Sequence, residues 1–154
     1  MSVHSYGILL YRCSAGHLQV MLVHPGGPFW AGKDAGAWSI PKGLPEAEEA
    51  GLETARREFR EETGFEVDGD FIELGVLRQT SGKIVHAWAL QGDLDVDRIR
   101  SNTFTLEWPR RSGTLREYPE VDSGGWFSLK EARSKINPGQ AGFLERLQEK
   151  LEAS

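Results

Sequence analysis

The sequence predicts an α/β fold built on a mixed β-sheet. Three observations carry that expectation. Two short apolar runs near the start, residues 6–12 (YGILLYR) and 18–24 (LQVMLVH), are bounded by turn residues and read as strands. A proline-free stretch, residues 46–63, repeats Leu52, Ala55, Phe59 and Thr63 at helical spacing. Strand-like and helix-like stretches then intersperse to the end of the chain, which favours a mixed sheet over segregated layers.

The first two strands are joined by a hairpin at residues 14–17. Residues 25–37 (PGGPFWAGKDAGA) are rich in Gly and Pro and read as a loop. Residues 38–41 (WSIP) form a short strand that Pro41 stops. The helix over 46–63 ends at Gly64, which tolerates the left-handed conformation of a helix terminus. Residues 71–80 and 83–91 are strands around a Ser81-Gly82 turn. In the second, Ile84, His86, Trp88 and Leu90 face one side and Val85, Ala87 and Ala89 the other. Residues 93–101 show no clear period, and 103–108 (TFTLEW) alternate like a strand. Residues 109–125 read as a long polar connection, the kind that often carries function. Trp126-Phe127 is a short strand, and Ser128 with Glu131 has the spacing of a capping box. Residues 139–151 form a last helix on Phe143, Leu144, Leu147 and Leu151.

At 154 residues, with 39% hydrophobic and 27% charged residues, one globular domain over 1–154 is expected. The net charge of −5 argues against a general nucleic-acid coat or a binder of anionic membranes, since both need a basic face. A local basic pocket for phosphates stays open. The single cysteine, Cys13, excludes an internal disulfide and a multi-cysteine metal site and suits a reducing compartment. Cys13 lies at the end of an apolar strand and is expected to be a buried or semi-buried, inert thiol. No early apolar run approaches the length of a membrane span, so the cytoplasm is the expected location.

The helix over 46–63 carries the chemistry. Counted at about 100° per residue from Leu52, Glu61 falls near 180°, Glu58 near 240° and Glu62 near 280°. Three carboxylates therefore share one arc, roughly opposite the core stripe. Glu58 repels Glu61 and Glu62 at i,i+3 and i,i+4. The helix C-terminus also prefers cations. Two local rules are broken together, which marks a functional site. A hard divalent cation would relieve the conflict; a solvated acidic face is the plain alternative.

The frame around the helix is Gly43-x5-Glu49-x7-Arg57-Glu58-Phe59-Arg60-Glu61-Glu62-Thr63-Gly64-Phe65. It resembles the signature of the Nudix hydrolases, GX5EX7REUXEEXGU, at every fixed position. The two bulky aliphatic positions are here aromatic, Phe59 and Phe65. The resemblance extends loosely over the whole chain. It implies an α/β/α sandwich and a Mg²⁺- or Mn²⁺-dependent hydrolase of nucleoside diphosphates linked to a further group X. It also implies that Glu58, Glu61 and Glu62 hold metal, with the carbonyl of Gly43. Arg57 and Glu49 would orient the loop and helix. A carboxylate takes the proton of the attacking water, and Glu61 and a loop acid are the candidates. Glu120, six residues before Trp126-Phe127, resembles the acidic position that dinucleoside polyphosphate hydrolases of the family carry there, as ligand or base. Glu117 is its neighbour in the same loop; a carboxylate simply in water is the alternative for both.

Lys42 and Lys83 can each reach a substrate phosphate as a point charge, or stand in solvent. Arg78, Arg110 and Arg111 are weaker candidates of this kind. Phe29 and Trp30 sit in the Gly/Pro-rich loop and can stack on a nucleobase, or Trp30 can plug the loop against the domain. His86 beside Trp88 reads as a packed or hydrogen-bonded strand residue. Subgroup markers are missing: residues 80–83 hold no Tyr, and no Pro occurs between Gly64 and Trp108. The WSIPKG segment, Glu120 and the compact size favour dinucleoside polyphosphates or nucleoside triphosphates. ADP-ribose or another nucleotide sugar, an RNA 5′ end, and a non-catalytic nucleotide-binding module remain as alternatives. The acidic net charge counts against RNA. Homodimers are a habit of the family, so a second copy is a further expected partner.

Overall fold

The computed structural model describes residues 2–153. Its central sheet runs β4 (Ile72–Arg78), β5 (Ile84–Gln91), β1 (His4–Ser14), β2 (His17–Pro25), β8 (Val121–Ser128), and β3 (Lys42–Gly43) pairs with β1. The β1–β5 pair is parallel, whereas β1–β2, β2–β8 and β4–β5 are antiparallel, so the sheet is mixed as expected. Both faces are covered, which explains the near-continuous apolar run of β1. Ile8, Leu10, Met21 and Val23 pack under α1 (Gly51–Thr63) with Ala55 and Phe59. Leu9, Tyr11, Val20 and Leu22 face the other way, onto Phe143, Leu144 and Leu147 of α3 (Gly142–Glu152) and Ala132 of α2 (Leu129–Lys135). The result is the α/β/α sandwich. The two faces of β5 divide as its alternation predicts, Val85, Ala87 and Ala89 on one cluster and Trp88 and Leu90 on the other.

Several boundaries move. The helix begins at Gly51, not at residue 46. Glu48 has a left-handed φ of 60°, and Glu49 N–H donates to Glu46 O, so residues 46–49 form a turn instead. The 38–41 strand shrinks to single bridges at Trp38 and Ser39 before β3. The 109–125 connection is not irregular. It holds β7 (Leu115–Pro119) and the start of β8, and β7 pairs with β6 (Thr103–Glu107) as a separate two-stranded ribbon. The final helical segment splits into a 3₁₀ turn at Pro138–Gln140 followed by α3. Cys13 is exposed, because it sits beside the hairpin turn, opposite Leu18 at the frayed end of the sheet. The Ser128–Glu131 capping box forms, with Ser128 Oγ accepting from Glu131 N–H at 3.1 Å. No helix among the described residues is long and apolar enough to cross a membrane.

Candidate active site on the acidic helix

Gly64 closes α1 at φ 82°, its N–H donating to Arg60 O at 2.7 Å, so the last turn of the helix ends sharply. The carboxylates of that helix are organised by Arg57. Its Nε and Nη2 grip Glu49 in a fork at 2.9 and 3.0 Å. Nη2 also donates to Leu44 O at 2.8 Å, and Nη1 to Glu58 Oε2 and Glu61 Oε2 at 2.9 Å each. All five guanidinium N–H groups are thus engaged. Arg57, Glu49 and Glu58 are 15%, 14% and 13% exposed, so these bonds are better sheltered than an ordinary surface ion pair. The Arg57 guanidinium, helped by Thr54, holds the Glu49 carboxyl down at about 2. Glu49 in turn, with Glu61 and Glu58, holds the Arg57 proton more tightly than usual.

The other carboxylates are driven the opposite way. Burial pushes Glu58 up to about 7, with the adjacent Glu61 adding to the shift. Burial pushes Glu62 up to about 8, with Glu58 and Glu120 adding to it and Lys42 opposing. Glu120 is raised by burial and by Glu61. Lys42 is itself lowered, mainly by burial. Burial and like charge make Glu58, Glu62 and Glu120 give up their protons less readily, and a cation among them would oppose both effects.

Five of the expected residues meet in one cavity. Trp30, Lys42, Glu62, Lys83 and Glu120 line a space of about 250 Å³. Glu62 comes from α1, Lys42 from β3, Lys83 from the turn before β5, Glu120 from the β7–β8 junction and Trp30 from the Gly/Pro-rich loop. Glu58, Glu61 and Gly43 do not line it. Glu58 and Glu61 are turned to Arg57 at its flank, and Glu58 Oε1 lies against Gly43 so closely that no Cβ fits there. Phe29 lies outside this cavity, exposed, with the Lys33 ammonium 3.7 Å over its ring. Arg78, Arg110, Arg111 and Glu117 also stay outside its lining. His86 is stacked on Tyr6 at 4.5 Å and hydrogen-bonded to His4, a packed strand residue.

The sequence reading passed over Ser39, Gln79 and Asn137, which complete the polar wall. They arrive from three separate segments, so no local spacing marks them. Gln140 was also missed. It is 1% exposed and fixes the wall by accepting from Ile40 N–H and donating to Gln79 Oε1.

The donor set fits a hard divalent ion: carboxylate oxygens clustered at one helix end, with a side-chain-free backbone at Gly43 against Glu58. Among the described residues no three acids are drawn into a finished cage. Arg57 holds Glu58 and Glu61 instead.

Comparison with known proteins gives the family and the fold. The family model of the NUDIX domain matches residues 3–147. An Ap4A hydrolase of C. elegans, solved as a binary complex, superposes with a TM-score of 0.69 at 18% identity, covering 97% of this chain and 99% of that one. The NUDIX domain of Shewanella oneidensis NrtR, solved with ADP ribose, gives 0.67 at 16% identity over 98% of this chain and 89% of that one. The E. coli ORF135 protein gives 0.57 at 23% identity over 99% and 94%. No curated protein matches the sequence.

Proposed function

The chain belongs to the Nudix family of pyrophosphohydrolases, and from that premise we propose that it cleaves a pyrophosphate linkage in a dinucleoside polyphosphate or a nucleoside triphosphate. The observation that supports this reading is the single cavity that gathers an aromatic ring, two ammonium groups and two carboxylates. That combination matches a nucleotide: a ring to stack, phosphates to neutralise, and acids for metal and proton transfer. The domain is taken to act as one unit over 1–154, in the reducing cytoplasm that its lone thiol suits.

Nudix hydrolases use divalent ions, and Mg²⁺ or Mn²⁺ is assigned here to Glu58, Glu61, Glu62 and Glu120 with the Gly43 carbonyl. When bound, such an ion neutralises phosphate oxygens and acidifies water. Lys42 and Lys83 hold the phosphate chain against the end of α1. Lys42, half-buried between Glu62 and Lys83, is well placed to bond a bridging or terminal oxygen. Glu120, which lines the same cavity, is assigned the proton of the attacking water; Glu61, at the flank, is the alternative base. Arg57 is a positioning residue. It touches no substrate cavity, but it sets the directions of Glu58 and Glu61 and ties them through Glu49 and Leu44 O to the loop before the helix.

The test is a product-resolved hydrolysis panel with Mg²⁺ and with Mn²⁺. It spans diadenosine polyphosphates, canonical and oxidised nucleoside triphosphates, ADP-ribose and 5′-triphosphate RNA, with Glu62→Gln in parallel. Cleavage of one of the first two classes at a pyrophosphate bond, lost in Glu62→Gln, is the expected result. Preferential cleavage of ADP-ribose or RNA overturns the substrate class. Nucleotide binding with no turnover on any substrate overturns catalysis and leaves a binding module.

A further inference from the structure

Trp30 and Glu120 form two walls of the substrate cavity, yet neither belongs to a strand or a helix. Trp30 comes from the Gly/Pro-rich loop and Glu120 from the junction of β7 and β8. Their directions therefore depend on contacts made by other residues, and one buried imidazole reaches both segments.

That imidazole is His24, near the end of β2 and 7% exposed. In the β2–β8 ladder His24 lies opposite Ser123, and Pro25 lies opposite Val121. Asp122 is thus the extra residue of a β-bulge, a feature that bends a strand and re-aims its side chains. Asp122 Oδ1 lies 2.9 Å from His24 Nδ1 and accepts from Ser123 Oγ at 3.0 Å. Two residues on from His24 and two back from Asp122, Gly26 N–H donates to Glu120 O at 2.9 Å. The His24–Asp122 pair therefore closes one side of the bulge and the Gly26–Glu120 bond the other.

The second ring nitrogen serves the loop. Nε2–H donates to Lys33 O at 2.6 Å, since a carbonyl oxygen only accepts. Lys33 N–H in turn donates to Trp30 O at 3.0 Å, which closes a turn over residues 30–33. The turn that carries Trp30 is thus held at its last residue by His24. The ion pair of Asp34 with Lys135 also ties this loop, but it is more exposed and contributes less. Trp38 meets the His24 ring edge-on at 5.2 Å, which fixes the plane of the imidazole.

Resting on the hydrolase reading, we propose that His24 is a positioning residue for the reaction, one side chain that holds the bulge after Glu120 and the turn of Trp30 in a single arrangement. His24 does not line the cavity. Through Asp122 it sets where the assigned base points. Through Lys33 O it sets how closely Trp30 stands to the bound nucleotide. Loss of the first tie acts on kcat, and loss of the second on KM.

Two exchanges separate these effects, measured on the best substrate of the hydrolysis panel with protein shown folded by its near-ultraviolet circular dichroism. His24→Phe keeps a ring against Trp38 and removes both ties. Its kcat is expected to fall about 10–100-fold and its KM to rise at least about five-fold. Asp122→Ala removes one tie, so kcat should fall about ten-fold with KM nearly unchanged; Asp122→Asn, which can still bond Nδ1, should recover most of that rate. Should His24→Phe fail to fold, the two Asp122 variants decide alone. In a Glu120→Gln background His24→Phe should cost less than about three-fold further in kcat, because both act on one step. Without metal or nucleotide, amide exchange at Lys33 and Glu120 is expected to quicken about ten-fold in His24→Phe while α3 keeps its rates. Folded His24→Phe and Asp122→Ala with wild-type kcat and KM overturn the proposal and leave the hydrolase reading standing. So do rate losses that simply multiply with that of Glu120→Gln, or exchange that quickens throughout the chain, since both mark His24 as a support of the fold alone. No turnover by the wild type on any substrate overturns the hydrolase reading and the proposal with it.

Discussion

Glu49 and Glu62 are the same side chain, each beside one cation, at opposite ends of one acidic network, yet their carboxyls sit near 2 and near 8. The difference is in the cation. Arg57 meets Glu49 directly with a two-bond fork, keeps its charge under any condition, and brings Thr54 as a further donor. Lys42 opposes the shift at Glu62 only in part. It is itself lowered by burial, and Glu58 and Glu120 crowd Glu62 with like charge. One end of the network is electrostatically settled and builds structure. The other is left unsettled, and that is where a metal and an anionic substrate have most to gain.

The sharpest way to break this contrast is Glu62→Gln. Turnover should fall by about 100-fold or more, yet the metal-free protein should melt higher than wild type at pH 8, because an unfavourable charge has been removed; melting curves in chelator beside initial rates check both. Arg57→Lys comes next. Lysine has three donors and no fork, so Glu58 and Glu61 lose their fixed directions. The rate should drop about 10–100-fold, accompanied by a lower melting temperature. Gly43→Ala should weaken Mn²⁺ binding about ten-fold, read by calorimetry, because its Cβ displaces Glu58.

pH separates the two ends with opposite signs. Glu49 is lowered from 4.5 to about 2, so its stabilisation is complete above 4.5 and is lost as pH falls towards 2. Glu49→Gln should flatten acid unfolding in that window. Glu62 is raised from 4.5 to about 8, so its contribution is complete below 4.5 and is lost as pH rises through 8. Metal-free protein should therefore melt lower at pH 8.5 than at pH 5, and Mg²⁺ should recover more of that loss in wild type than in Glu62→Gln. Ser128→Ala is the control outside the network. Loss of one helix cap, about 1 kcal/mol, should lower the melting temperature by about 2–4 °C without changing the rate.

What the sequence made legible follows from what is local. The helix stripe of Ala55, Phe59 and Thr63, the Gly64 stop and the Ser128 cap are all set within a few residues, and each appears in the structure; Leu52, expected on that stripe, stays partly exposed and Thr54 is buried instead. The carboxylate arc of Glu58, Glu61 and Glu62 was equally readable, since helix geometry alone fixes it. Glu46 to Ala50 misled because nothing local forbids a helix there; the turn is held by Glu49 reaching Arg57, a tertiary contact. β7 was missed because it is short, nearly all exposed, Leu115 included, and ends in Pro119, and it pairs only with β6, so no apolar alternation betrays it. Phe104 shows up as a strand residue in TFTLEW. That it comes to share a cavity lining with Trp30 depends on where the ribbon docks, which no spacing encodes.

The parallel pair at the heart of the sheet sets an order of assembly. His4 lies opposite Ile84 and Gln19 opposite Ser128, so the outer edges of β1 and β2 find their partners only after a long stretch of chain has followed them. Closing loops of that length is entropically slow, and the hairpin waits meanwhile with both apolar faces and both outer edges bare. A nascent chain arrested before β5 would present that flat, hydrophobic template to its neighbours, and its survival would rest on chaperone capture rather than on any stability of its own.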